Sequence, residues 1–389
     1  MFDFDFNPER RGTNSLKWDV ADGELPMWVA DMDFATAPAV IKAIERRASH
    51  GVYGYTIVPD EWYGAIIGWW KKRHSFTIEK EWLQFCTGIV PAISCLVKRI
   101  TNQGDNIAVL TPAYDIFYHS IENAGRHTLE CRLEYKEGKY EINFKALEEA
   151  LSDPLTTMLI FCNPHNPTGN IWTKEELARV GALCKKHGVV VLSDEIHCDL
   201  TAPDFEYTPF ASVSEECREI SITCISASKA FNIAGLQSAA VAVPNKHLRK
   251  KVVRGLNSDE VAEPNCFAIE GTVAAFTEGE GWLEGLRAYL AQNREYVYNY
   301  LNKNLPVVHP VKSNATYLIW IDCSEITDDS EGLCEFIRER TGLILSNGSQ
   351  YRGDGAHFVR LNTACSRKKL EDGLNRFVKG VKEYIEWKK

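Results

Sequence analysis

The chain has 389 residues, 45% hydrophobic and 25% charged, and its 44 Lys and Arg against 53 Asp and Glu leave a formal net charge of −9. This balance is that of a folded protein, which excludes a long disordered chain, and the length exceeds one ordinary core, so one large domain and one smaller one are expected. A net negative surface repels polyphosphate, which argues against a nucleic-acid partner.

Taken in chain order, the acidic start Met1–Phe6 lacks the basic and apolar regions of a secretory signal. No apolar run is long enough to span a membrane, so a cytoplasmic protein without a membrane partner is expected. The 12 cysteines show neither a C-x-x-C pair nor a zinc-type spacing. They are expected as buried free thiols in a reducing compartment, with no metal. Trp62, Trp69 and Trp70 at helical spacing suit core or dimer packing. Gly88-Ile89-Val90-Pro91 opens an apolar helix through Leu96 and Val97. Free backbone amides at such a start, together with the helix dipole, make a seat for phosphate.

The middle of the chain alternates short apolar runs with helical patterns. Candidate strands are 106–110, 157–162, 189–192 and 220–225, nearly continuous apolar runs that suit a mostly parallel sheet covered on both faces. Between the second and third, Thr173 and Glu176 form a capping box, Leu177, Val180, Leu183 and Cys184 make one apolar face, and Gly188 ends the helix. The basic stretch Lys246–Lys251 reads as a solvated helix face. A long helix over 286–301, shorter strands over 316–321 and 357–361, and a closing helix over 366–385 make a smaller α+β domain. The expected division is 48–285 for the large domain, with 1–47 and 286–389 forming the small one.

Residues able to do chemistry follow the ends of the four strands: Tyr114 after the first, Asn166 in Asn163–Gly169 after the second, Asp194 after the third, and Ser226-Ala227-Ser228-Lys229 after the fourth. Ligands of open α/β sheets bind at that edge. The set suits pyridoxal 5′-phosphate. That cofactor needs an amine to condense with its aldehyde (Lys229), a carboxylate to keep its ring nitrogen protonated (Asp194), and donors for its phosphate (Ser226, Ser228 and the amides of Gly88, Ile89 and Val90). Asn166 can donate to the ring's phenolic oxygen, and Tyr114 can stack on the ring. Arg360, alone in the apolar run Phe358–Asn362, needs an anionic partner, and a substrate carboxylate would supply one; a structural ion pair is the alternative.

The loop Asn163-Pro164-His165-Asn166-Pro167-Thr168-Gly169 matches N-P-x-N-P-T-G, and Ser226–Lys229 matches S-x-S-K. On these motifs the chain resembles the fold-type I, class I/II aminotransferase superfamily of pyridoxal-phosphate enzymes over nearly its whole length. More narrowly, Arg11–Asp19, Met27–Phe34, Tyr53-Gly54-Tyr55, Thr111–Tyr114 and Ser193–His197 are similar to the cystathionine β-lyase or C–S lyase branch. The resemblance implies an α/β fold of the type I transferase kind, with a large, mostly parallel sheet between helices and a smaller α+β domain. It also implies a homodimer with shared active sites, in which Tyr55 reaches the neighbouring subunit's phosphate. Asp31 and Tyr55 are carried to the substrate side and His197 to the cofactor.

Two departures from ordinary aminotransferases agree with the lyase branch. His197 stands where many carry tyrosine, and Gly235-Leu236-Gln237 lacks the arginine that many use on the phosphate. The expected reaction is β-elimination from a cysteine thioether such as L-cystathionine. The substrate carboxylate would sit on Arg360, the Lys229 amine would take the Cα proton, and Lys229 or Tyr114 would protonate the leaving sulfur. Aminotransfer is the alternative, and the two outcomes differ tenfold in rate for only about 1.4 kcal/mol between barriers.

Overall fold

The computed structural model describes residues 2–389. Its main sheet has seven strands: β1 (Leu83–Cys86), β2 (Asn106–Thr111), β3 (His127–Arg132), β4 (Thr156–Cys162), β5 (Val190–Asp194), β6 (Ser221–Ile225) and β7 (Ala239–Ala242). Their spatial order is β1-β7-β6-β5-β4-β2-β3. The strands from β6 to β3 run parallel, whereas β7 runs antiparallel to both β6 and β1.

Both faces of this sheet are covered, and the side chains alternate between them. Ile107 and Val109 of β2 pack with helix Ile89–Ile100, while Ala108 and Leu110 pack with helix Lys174–His187 on the other side. This is why the strands read as unbroken apolar runs. The register pairs Cys162 with Asp194 and Asp194 with Cys224, so β4, β5 and β6 end level with one another. The loops leaving these three strands therefore emerge side by side at one edge.

A second, antiparallel sheet holds β8 (His309–Pro310), β9 (Leu318–Asp322), β10 (Ser346–Asn347) and β11 (Phe358–Asn362) in the order β8-β9-β11-β10. Helices Ser330–Thr341 and Arg367–Lys388 pack on it. The N-terminal segment joins this part: Leu25–Pro26 pairs in parallel with Leu343–Ile344.

The expected boundaries at 47 and 285 both fall inside helices. Helix Pro38–Ser49 buries Val40 and Ala43 in the apolar cluster that contains Trp62, Trp69 and Trp70, so it packs with the main sheet's side of the molecule. Helix Glu280–Asn304 begins earlier than the expected residue 286. Trp282, Leu283, Leu286 and Leu290 enter that same cluster, while Val297 and Leu301 enter the cluster of the second sheet. One helix serves both cores because its apolar face continues without a break from one to the other. All 12 cysteines are free and buried. Among the described residues, no helix is long and apolar enough to cross a membrane.

Candidate active site

A cavity of about 260 Å³ opens at the carboxyl edge of the main sheet, lined by Gly88, Ile89, Val90, Tyr114, Asn166, Asp194, His197, Ser226, Ser228 and Lys229 among others. These segments are far apart in the chain, and the level strand ends bring them together. Tyr114 caps helix Asp115–Glu122 just beyond β2 and packs edge-on against Phe117. Asn166 sits in the turn after β4. That turn is closed by Gly169, whose φ is +72° and where a Cβ would come within 2.3 Å of Ser313 Cβ. Glycine is therefore required there both for its backbone angle and for the close approach of the chain leading to β9.

At one end of the cavity, helix Ile89–Ile100 begins after Gly88 with no acidic residue in its first turn. The amides of Ile89 and Val90 have no intrahelical partner, and the positive end of the helix faces the cavity. Ser226 Oγ donates to the Ser238 carbonyl at 2.8 Å and accepts from the Ser228 amide at 3.1 Å. The Ser226 hydroxyl therefore shapes the turn as well as lining the cavity. Thr87, Gln237 and Ser238 complete this end. The motifs do not single them out, although Gln237 closes the Gly235-Leu236-Gln237 stretch that lacks an arginine.

At the other end, the Asp194 carboxylate is 5% exposed and accepts the Ile196 amide at 3.2 Å. Burial pushes it up to about 6, opposed by that amide and by Lys229. Lys229 Nζ donates to the Ala30 carbonyl at 2.6 Å. Burial, and then the Arg360 charge, bring its amine down to about 8, against the pull of Asp31 and Asp194. His197 is buried with Nδ1 unpartnered. Burial and the positive charges of Lys229 and Arg360 hold it near 3, so its imidazole is neutral. Burial and Asp115 push the Tyr114 phenol up to about 12.

Arg360, on β11, is 4% exposed, and its hydrogen-bond partners are all neutral: Asn166 Oδ1 at 3.2 Å, the Trp28 carbonyl at 2.9 Å and Ser346 Oγ at 3.3 Å. Its Nε is buried without a partner. Among the described residues, the alternative for Arg360, a structural ion pair, is not formed.

Two residues stand apart from this cluster. The Asp31 carboxylate pairs with Arg10 at 2.6 Å and Lys17 at 3.6 Å; its neighbour Ala30, not Asp31 itself, lines the cavity. Asp31 is the more accessible member of a charged set around the buried Asp33, and two cations already neutralise it. Tyr55 is wholly exposed within the single chain, beside exposed Val52, Tyr53 and Ile57.

The cavity combines an amine, a carboxylate and a helix start at the switch edge of a type I transferase fold, with the Arg360 guanidinium bonded to Asn166 of its wall, which defines an amino-acid-transforming enzyme of that class. The chain belongs to the family described as aminotransferase class I and II, whose model matches residues 25–377. It is 42% identical over 380 residues to cystathionine β-lyase PatB of Bacillus subtilis, covering 96% of this chain and 98% of that one. Cystalysin from Treponema denticola, solved with its pyridoxal 5′-phosphate, superimposes with a TM-score of 0.95 at 30% identity over 98% of this chain and 99% of that one. The pyridoxal-phosphate-bound C–S lyase of Staphylococcus hominis superimposes with a TM-score of 0.93 at 34% identity, covering 98% of each chain.

Proposed function

We propose that the chain is a pyridoxal-phosphate-dependent carbon–sulfur β-lyase that cleaves L-cystathionine or related L-cysteine conjugates. One observation carries the reading: a buried carboxylate without a cation at hydrogen-bond distance (Asp194) and a buried amine of lowered basicity (Lys229) line one pocket, and a buried guanidinium without an anion among the described residues (Arg360) is bonded to Asn166 of its wall. Each is costly to bury alone and would be relieved by a ligand of opposite or complementary chemistry. A protonated pyridine answers Asp194, an aldehyde answers Lys229, and a substrate carboxylate answers Arg360. The helix start at Gly88-Ile89-Val90, with Ser226 and Ser228, suits the phosphate. Asn166 accepts from Arg360 through Oδ1, which leaves its NH2 to donate to the phenolic oxygen, and neutral His197 adds a polar group beside the ring. The pocket residues thus fit the cofactor seen in the related structures.

When bound, pyridoxal phosphate supplies a sink for the electron pair left on the substrate's Cα. The protein supplies the rest. Arg360 fixes the carboxylate and hence the direction of the Cα–H bond. The Lys229 amine takes the Cα proton, and Lys229 or Tyr114 returns a proton to the departing sulfur. Cystathionine and water give homocysteine, pyruvate and ammonia.

The exposed Val52-Tyr53-Gly54-Tyr55 segment supports a homodimer in which Tyr55 completes the phosphate or substrate side of the partner's site. Asp31 belongs, on this reading, to the frame that holds Ala30 in place. The 12 buried free thiols support a reducing, cytoplasmic setting.

The test is to incubate purified holoenzyme with L-cystathionine and no keto acid. Stoichiometric pyruvate and thiol are expected. Turnover only when a keto acid is added would replace the lyase reading with aminotransfer.

A further inference from the structure

We infer that Tyr317 is a positioning residue for Lys229: its phenol shares the Ala30 carbonyl with the lysine amine and keeps that acceptor satisfied once the amine has left it for the cofactor. The inference rests on the reading of Lys229 as the attachment point.

The Tyr317 hydroxyl donates to the Ala30 carbonyl at 2.9 Å, and Lys229 Nζ donates to the same oxygen at 2.6 Å. Tyr317 is 1% exposed and sits immediately before β9. The carbonyl they share is held in place from both sides. Asn362 Nδ2 donates to the carbonyls of Val29 and Asp31, each at 2.6 Å. Arg360 and Ser346 hold the Trp28 carbonyl, and Asn232 brackets Met32 through its amide and its carbonyl. A segment gripped on both sides of Ala30 cannot easily turn that carbonyl elsewhere.

A carbonyl oxygen has two lone pairs, and each donor it accepts draws off charge and weakens its hold on the other. The phenol therefore makes Ala30 a poorer acceptor for the ammonium and favours the neutral amine. The neutral amine is the form that adds to an aldehyde carbon: the C=N bond forms, one water leaves, and the nitrogen no longer carries protons to spare for Ala30. Without Tyr317 that enclosed carbonyl would then lack a donor, which carries a desolvation cost. Deep burial raises the phenol's own ionisation well above its ordinary range, so it remains a donor at working pH.

The other charges acting on the amine are those of Arg360 from β11, Asp194 from the end of β5 and the more distant Asp31 from the N-terminal segment, and neutral His197 and Tyr114 line the same cavity. None of these is altered in Tyr317→Phe. A moved Lys229 titration in that variant therefore reports the shared carbonyl.

The experiment uses cofactor-free protein carrying 13C-labelled lysine, with Lys229→Met identifying the resonance. It follows the Lys229 titration by NMR and, separately, the pH dependence of pyridoxal phosphate capture by absorbance. For Tyr317→Phe the titration midpoint is expected to rise by about half a pH unit, with roughly threefold slower capture at neutral pH. 3-Fluorotyrosine at position 317, a stronger donor, is expected to move the midpoint the other way. It decides the matter alone if the phenylalanine variant fails to fold. An unmoved midpoint, or both variants shifting in one direction, overturns the inference. Borohydride reduction and peptide mapping of the wild-type holoenzyme separate the two readings: label away from Lys229 removes the attachment point itself, whereas label on Lys229 with an unmoved midpoint removes only the role of Tyr317.

Discussion

Arg360 donates through Nη1 to Asn166 Oδ1 at 3.2 Å, so a side chain from the second sheet orients an amide on the loop after β4 of the first. The group proposed to hold the substrate and the group proposed to meet the cofactor ring are therefore in direct contact. Arg360→Lys keeps the charge but loses the planar fork that reaches Asn166, Trp28 and Ser346 together. The expected result is a fall in kcat/KM of roughly 10- to 100-fold, carried mainly by KM. A displaced absorption maximum of the bound cofactor should accompany it as Asn166 loosens. Steady-state kinetics with holoenzyme spectra check this; unchanged KM together with an unchanged spectrum would refute the coupling.

On the proposed function, Asp194 is held for the cofactor at the expense of the cofactor-free fold. Its carboxyl keeps a proton up to about pH 6 in the folded state, against about 4 in an unfolded chain. The folded state binds more protons between these values, so this residue's contribution to stability falls as pH rises through that window. Asp194→Asn removes the penalty. Cofactor-free Asp194→Asn should be more stable than wild type by about 1–3 kcal/mol above pH 6, with the difference vanishing below pH 4. Denaturant unfolding of the two proteins at pH 4 and pH 8 provides the comparison, and activity should be lost at both.

For Lys229 the sign is reversed. Its amine titrates near 8 when folded, against an ordinary 10.5, so the folded state binds fewer protons between these values. Stability from this residue therefore rises with pH across that range. Lys229→Met should stabilise the cofactor-free protein at pH 7 and lose that advantage as pH approaches 10.5. A melting-temperature difference that grows with pH instead would contradict the assignment.

The proposed sharing of sites between subunits makes a complementation prediction. Lys229→Ala and Tyr55→Ala should each be inactive or nearly so. Unfolded together and refolded, they should regain about a quarter of wild-type activity, because half of the dimers are mixed and each mixed dimer holds one intact site. No recovery, with mixed dimers confirmed by native mass spectrometry, would place Tyr55 outside the partner's site.

Asp33 is 2% exposed and accepts from Lys17 at 2.9 Å, Trp18 Nε1 at 2.8 Å and Arg10 at 3.3 Å. Lys17 is itself 1% exposed. Replacing one member leaves a buried charge uncompensated, so Asp33→Ala should cost about 3–5 kcal/mol in denaturant unfolding. The loss should extend to the site, because this cluster anchors the segment that presents Ala30 to Lys229.

Much of this arrangement was legible from local chemistry. The four central strands declared themselves as apolar runs. The box of Thr173 with Glu176 and the Gly188 cap, at φ 72°, stand where their residue types suggest. Other elements were silent. β1 and β7 are four residues each, Leu-Gln-Phe-Cys and Ala-Ala-Val-Ala, too short and too plain to distinguish from loop or helix. The resemblance carried Asp31 to the substrate side, and nothing local reveals that Arg10 and Lys17 fold back onto it.

The residue types at the strand ends, and the order in which the chain presents them, decide the class of chemistry, because an amine, a carboxylate and an amide carry their reactivity wherever they are placed. Their protonation, their spare hydrogen bonds and their neighbours are decided only when distant segments meet. Lys229 and the Ala30 carbonyl are 199 residues apart along the chain, as an enclosed arginine and the loop it steadies are 194 apart. Burial and contact at that range depend on how strands align and helices close over them, which no short stretch of residues records.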